Sequence, residues 1–291
     1  MSRPRRAPIA YHASMKILLS NDDGIHAPGI EAMHAALTDR DGVFGSELGS
    51  TTFAVAPLTV QSATSHGLTF HTPLMVSEER VSGHMSGLAV DGRPADCVKL
   101  AISELWPKQY GAGDKPDLVI SGMNAGANCG VNIIYSGTVA AAIEAAFLGV
   151  PSIAVSLHIG KSKPNFDVAA RHARRAIEAV LASDGGAPLR KHSCLNINIP
   201  VTEGETEMPP MVVCPMNVHG LVDKFDARHS PGGNPYYWAA GDGLDFHGSD
   251  EGADVDELFK RNITITPLSY DMTHHGDLEV WRERMAGVTA S

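Results

Sequence analysis

Short apolar runs bounded by turn residues recur along most of the chain, with amphipathic stretches between them. Runs at 15–20, 51–57, 88–90, 117–122, 151–157 and 194–200 have the length and composition of buried strands. The intervening segments 31–37, 95–105, 138–148 and 167–182 carry apolar residues at helical spacing. Pro28 suits the start of the first helix. Strands alternating with helices predict a parallel sheet covered on both faces. The pattern weakens after about residue 205. Pro209, Pro210 and the run 230–235 have the chemistry of loops, and 242–256 is acidic and glycine-rich. Alternation returns at 262–268, which predicts one more strand.

These patterns divide the chain into an N-terminal extension over 1–14, a catalytic core over 15–205 and a C-terminal arm or subdomain over 206–291. The extension holds Arg3, Arg5 and Arg6 with two prolines, and is expected to be disordered. It lacks the apolar stretch of a signal peptide, and no segment is apolar over the roughly 18 residues a membrane span needs. Of 291 residues, 43% are hydrophobic and 19% charged, an ordinary globular composition. The net charge of -10 argues against binding nucleic-acid polymers or anionic membranes. Four scattered cysteines form neither a CxxC pair nor a zinc pattern, so they are expected to be reduced thiols in a cytoplasmic protein.

Candidate chemistry collects where predicted strands end. The first run closes on Asp22 and Asp23, followed by Gly24. In open α/β sheets, ligands bind beyond the carboxyl ends of the strands. Two adjacent acids there repel each other unless something neutralises them, and a divalent cation with oxygen ligands does so. The same four residues, Asn21 to Gly24, also make an ordinary solvated turn, and the residues alone leave both readings open. The strand at 117–122 runs into a loop with Asn124 and Asn128 and glycines at 122, 126 and 130. That spacing fits neither the GxGxxG nor the Walker pattern, whereas an Asn carbonyl suits a hard cation. Ser136, Gly137 and Thr138 open the next helix, where free N–H groups attract phosphate or simply cap the turn. The hydroxyl-rich loop 61–67 follows the second strand and contains Ser62. No GxSxG or HExxH occurs, which weighs against a serine hydrolase or a zincin.

Taken in order, these segments resemble the SurE family of survival-protein 5'-nucleotidases. The likeness runs from about Met15 to about His275. It is carried by residues 20–24 followed by 26–29, by 55–57 leading to Ser62, and by 94–98. Its most specific part is 121–128 followed by 134–139, with 236–238 and 265–268 as C-terminal landmarks. The resemblance implies an α/β fold, a Rossmann-like three-layer sandwich with a mostly parallel sheet. It also implies a C-terminal extension or swapped arm and a homodimer or homotetramer. The activity implied is hydrolysis of nucleoside 5'-monophosphates, and also of 3'-monophosphates and short polyphosphate. One divalent ion per subunit is implied, Mg²⁺ or Mn²⁺, with Ca²⁺ able to replace it in crystals. Position by position, its ligands would be Asp22, Asp23, Ser62 and Asn124. Asp22 and Asp23 would be catalytic, with Asp23 favoured to orient or deprotonate water. Asn128, Ser136, Gly137 and Thr138 would hold phosphate.

The chain departs from the family pattern at Leu58, Thr59, Val60 and Gln61, at Ala63 where glycine is usual, at Arg93, and at Val131 and Asn132. These changes bear on substrate preference. They also keep open a catalytically weakened nucleotide- and metal-binding protein of the same fold, and an oxidoreductase is disfavoured by the missing GxGxxG.

Overall fold

The computed structural model describes residues 14–183, 187–202, 207–240 and 243–289. All but Ser14 of the expected N-terminal extension lies outside the described residues. Five strands, β1 (Lys16–Ser20), β2 (Thr51–Pro57), β5 (Leu118–Ala125), β6 (Ser152–Leu157) and β7 (Cys194–Ile199), fall where the apolar runs predict them. Within β1, Ile17 and Leu19 enter one core and Leu18 the other, each fully buried. A strand covered on both faces has no polar side, which is why its sequence reads as a continuous apolar run.

The first core lies under α1 (Pro28–Leu37) and α5 (Phe166–Ala182), and the second under α2 (Pro94–Leu100) and α4 (Gly137–Phe147). Helices on both faces make three layers. The helix predicted over 95–105 runs on through a wider turn into α3 (Trp106–Tyr110). Trp106 is fully buried there, against Phe53 and Tyr110.

Two further strands, β3 (Val76–Arg80) and β4 (Ser86–Val90), form an antiparallel pair at one edge. At the other edge stand β8 (Met211–Val213) and β11 (Ile263–Leu268). The nine-stranded order is β3-β4-β2-β1-β5-β6-β7-β11-β8. Pairing is parallel except for β3 with β4 and β11 with β7. The core sheet therefore does not stop at residue 205, because β8 and β11 complete it from the far side of the expected boundary.

What stands apart from the sheet is a hairpin of β9 (Lys224–His229) and β10 (Pro235–Ala240), together with α7 (Leu278–Thr289). The loop chemistry at 230–235 is the hairpin turn, closed by Ser230 N–H on Asn234 O. A short helix, α6 (Asp254–Phe259), packs on β11. Among the described residues no helix is long and apolar enough to cross a membrane. All four cysteines are free and buried.

Candidate active site

The crevice lies where β1 and β5, adjacent and parallel, both end. Asn21 turns the chain away from β1, its amide donating to Gly24 O at 2.9 Å. Asp22 then points inward, 6% exposed, while Asp23 stays half-buried. Asp23 Oδ2 accepts from the Ala125 N–H at 2.8 Å, which locks the acid pair to the end of β5 beside Asn124. The β5–β6 register shifts between Ser121 and Asn124, a bulge that re-aims the residues beyond it. Gly122 makes this bulge fit, since a Cβ there would stand 2.3 Å from Val155 O. Asn124 donates its amide nitrogen to Gly126 O at 2.7 Å, leaving the carbonyl oxygen as the end able to meet a cation. The loop with Ser62 joins the same mouth, because Gln61 N–H donates to Asp22 O at 2.8 Å. Ser62 itself is exposed. The four residues the sequence proposes as ligands thus lie on three loops that hydrogen bonds of Ala125 and Gln61 tie together.

The start of α4 does something the sequence did not reveal. Thr138 Oγ1 donates to Asp22 Oδ1 at 2.5 Å, and the Thr138 N–H also acts on that carboxylate. Gly137 permits the approach, since a Cβ there would sit 2.9 Å from Asp22 Cβ. Ser136 Oγ accepts from Val139 N–H as an ordinary N-cap. The hydroxyls expected to face phosphate are therefore engaged with Asp22 and with the helix itself. The helix terminus holds an anion as expected, but that anion is the protein's own carboxylate. Asn128 is likewise engaged. Its amide donates to Ser156 Oγ at 2.8 Å, its N–H to Asn198 Oδ1 at 2.8 Å, and its carbonyl accepts from Asn196 and Asn198. It braces the glycine loop against β6 and β7.

The electrostatics of the pair are unusual. Burial is the main cause pushing Asp22 up to about 6, and repulsion from Asp23 adds to it, while the Thr138 hydrogen bond works the other way. Burial also raises Asp23, opposed by the Ala125 N–H. Mutual repulsion, the reason the sequence offers for a counter-ion, is thus secondary to desolvation. Beneath the pair, Ser20 Oγ, Asn21 Oδ1 and Ser121 Oγ are buried without hydrogen-bond partners. An oxygen-lined, electron-rich mouth of this kind fits a hard divalent cation. A groove of about 520 Å³ opens beside Asp23, walled by His26, Leu58, Val60, Ala125 and Phe166.

One group escaped the sequence reading. Glu144, in the otherwise apolar α4, is 2% exposed and receives His66 Nε2 and Lys99 Nζ, each at 2.7 Å. Burial pushes its carboxyl up, but those two hydrogen bonds outweigh burial and hold it below the ordinary value. A single acid amid alanines was the available signal. Arg93, one of the departures from the family pattern, lies with its guanidinium against Gly67.

An open α/β sheet with paired carboxylates at the carboxyl ends of its central strands defines a doubly wound protein with a ligand crevice in the usual place. The sequence profile of the family described as Survival protein SurE matches residues 17–220. A 5'-nucleotidase SurE of Desulforudis audaxviator is 39% identical over 92% of this chain and 97% of its own length. One from Variovorax paradoxus is 41% identical over 94% of this chain and 98% of its own. The crystal structure of the SurE protein from Aquifex aeolicus superposes with a TM-score of 0.72 at 32% identity, covering 91% of this chain and 97% of that one. The chain belongs to the SurE family.

Proposed function

We propose that this chain is a divalent-metal-dependent phosphomonoesterase acting on nucleoside 5'-monophosphates. The observation that carries the reading is that Asp22 and Asp23, at the end of β1, are tied to Ala125 next to Asn124 and to Gln61 next to Ser62. Relatives named 5'-nucleotidase SurE along nearly their whole length support the substrate class. The cation, Mg²⁺ or Mn²⁺, would be held by Asp22, Asp23, Ser62 and Asn124, and when bound it supplies charge neutralisation to the phosphate and acidity to a water. Asp22, fixed by Thr138, keeps one carboxylate immobile. Asp23 faces the groove and is the residue that orients or deprotonates the attacking water. Ser136, Gly137 and Thr138 hold phosphate oxygens at the start of α4, Thr138 while also fixing Asp22, and Asn128 contributes through the loop it braces. The nucleoside lies in the groove along Leu58, Val60 and Phe166. Its wall includes three of the family departures, Leu58, Thr59 and Val60, which set the preference for base, for 3'-monophosphates and for short polyphosphate.

The reading also includes a homodimer or homotetramer. Tyr237 and Trp238 of the hairpin are 65% and 61% exposed, and Trp281 of α7 is exposed too. Apolar surface of this size supports burial against a second copy. Free, buried cysteines support a reducing compartment, and the proposal places the protein in the cytoplasm.

Phosphate release from AMP and GMP, measured with Mn²⁺ or Mg²⁺ and after chelation, tests the function. Chelation should abolish turnover and added Mn²⁺ restore it. Asp23→Asn should lower kcat by about a hundredfold or more, the scale of a positioned proton acceptor. Ser62→Ala should lose less, because water can replace a neutral ligand. Near-normal turnover in both Asp22→Asn and Asp23→Asn, with cation bound, would remove this mechanism.

A further inference from the structure

The loop that carries Ser62 is held in a shape its own residues disfavour. Ala63 and Ser65 both lie in the left-handed region, with φ of 55° and 54°. Non-glycine residues adopt that region only when their surroundings impose it. Part of the imposition is local, from Ser65 N–H on Tyr135 O at 3.0 Å and Ser65 Oγ on Ile134 O at 2.8 Å. The next residue is His66. Its ring reaches the buried Glu144 carboxylate and stacks on Phe147, with centroids 5.1 Å apart and planes 14° apart. Lys99 approaches the same carboxylate from α2.

Distance decides what this triad can do. Glu144 lies seven residues beyond Gly137 on α4, roughly 10 Å along the helix. Glu144 is therefore about two turns along α4 from the end that holds Asp22. The triad touches the loop and the helix together, and both of those touch Asp22.

We propose that His66, Glu144 and Lys99 form a clamp that fixes the 61–67 loop to α4 and so presents Ser62 to the acid pair. His66 and Glu144 are then positioning residues that act through Ser62. The clamp explains why a left-handed alanine persists where the loop needs an accurate path. It also accounts for the lone charge in the alanine-rich face of α4. The inference rests on the proposed metal reading only where Ser62 is taken as a ligand.

Two measurements on the full chain decide it. Hydrogen exchange, which needs no metal, reports the Gln61 and Ser65 amides. His66→Ala should speed exchange at both by about tenfold or more, while core amides of β1 and β5 keep their protection. Mn²⁺ affinity, read by titration and electron paramagnetic resonance, should fall about tenfold in His66→Ala and in Glu144→Gln, the lower end seen for outer partners of metal ligands. In a Ser62→Ala background the same substitutions should change affinity less than about twofold, because their route of action is gone. If Glu144→Gln does not fold, His66→Ala alone carries the test. Unchanged exchange at Gln61 and Ser65 overturns the clamp. So does an equal loss of Mn²⁺ affinity with and without Ser62. A wild-type protein that binds no Mn²⁺ would sink the metal reading, and exchange would then decide the clamp by itself.

Discussion

Asp22 is where stability and function pull in opposite directions. In the metal-free protein its carboxyl is held at about 6 against an ordinary 3.8, with burial as the main cause. The folded state thus binds a proton more tightly than the unfolded chain. Between about pH 4 and pH 6 the folded form carries more protons, so the stability Asp22 contributes declines as pH rises through that window. The difference between about 6 and 3.8 is worth roughly 3 kcal/mol at neutral pH. Asp22→Asn removes the charge and keeps an acceptor for Thr138. It should raise metal-free stability by about 2–3 kcal/mol at pH 7 and by almost nothing near pH 4, while losing turnover. Urea unfolding of both proteins at the two pH values checks this. An equal effect at both would mean that Asp22 is not desolvated. A bound cation should cancel the penalty, so metal affinity should weaken as pH falls below about 6.

At the scale of elements, each part of the site is braced by a contact far away in sequence. Helix α1, which leaves the acid pair, ends at carbonyls met by the N–H groups of Thr38, Asp39, Arg40 and Leu48. Arg174 of α5 adds a second, distant partner, donating Nη1 to Ala36 O at 2.8 Å and Leu37 O at 3.1 Å, and Nη2 to Ser46 O at 3.1 Å. It is 1% exposed, pairs with Glu178 and lies 4.6 Å from the centre of the Phe44 ring. A buried guanidinium is stable only because every face finds a partner. Arg174→Ala should therefore cost about 2–3 kcal/mol by urea unfolding, from the charge-assisted hydrogen bonds lost and the space left behind. These contacts are at the opposite end of α1 from Asp23, so kcat should stay within about twofold of wild type. A larger fall in kcat would show that α1 transmits strain to the crevice. The bulge in β5 is a second brace, because it shifts the pairing with β6 before resuming it at Asn124 and Ser156, and so resets the direction in which Asn124 faces.

For the whole molecule, the nine-stranded sheet leaves the hairpin and α7 outside its layers. Phe225, Tyr237, Trp238, Trp281 and Met285 are exposed there. A two-stranded ribbon of this size has little stability of its own in water. In the proposed oligomer, another subunit would stabilise it by covering those aromatics. Light scattering behind gel filtration should find wild type as a dimer or tetramer at micromolar concentration. The double substitution Tyr237→Ser, Trp238→Ser should shift it toward smaller species and soften the hairpin amides. A monomeric wild type would remove the oligomer from the proposal.

Much of this protein was legible in its sequence, for a definable reason. Strands buried on both faces read as uninterrupted apolar runs, so β1, β5 and β6 announced themselves, and the amphipathic stripe of α5 did the same. Acids that follow such a run mark a crevice end, which is how Asp22 and Asp23 stood out, and a family resemblance supplied Ser62 and Asn124. Tertiary structure decided what has no local period. β9 and β10 are exposed on both faces, so no alternation records them. The reversed direction of β11 in the sheet is a matter of long-range pairing. Thr138 meets Asp22 across 116 residues, and His66 meets Glu144 across 78. Periodicity reports which side of an element is dry. Which polar group waits on the other side is settled only when distant segments pack, because an ion pair or buried hydrogen bond leaves no repeating trace along the chain.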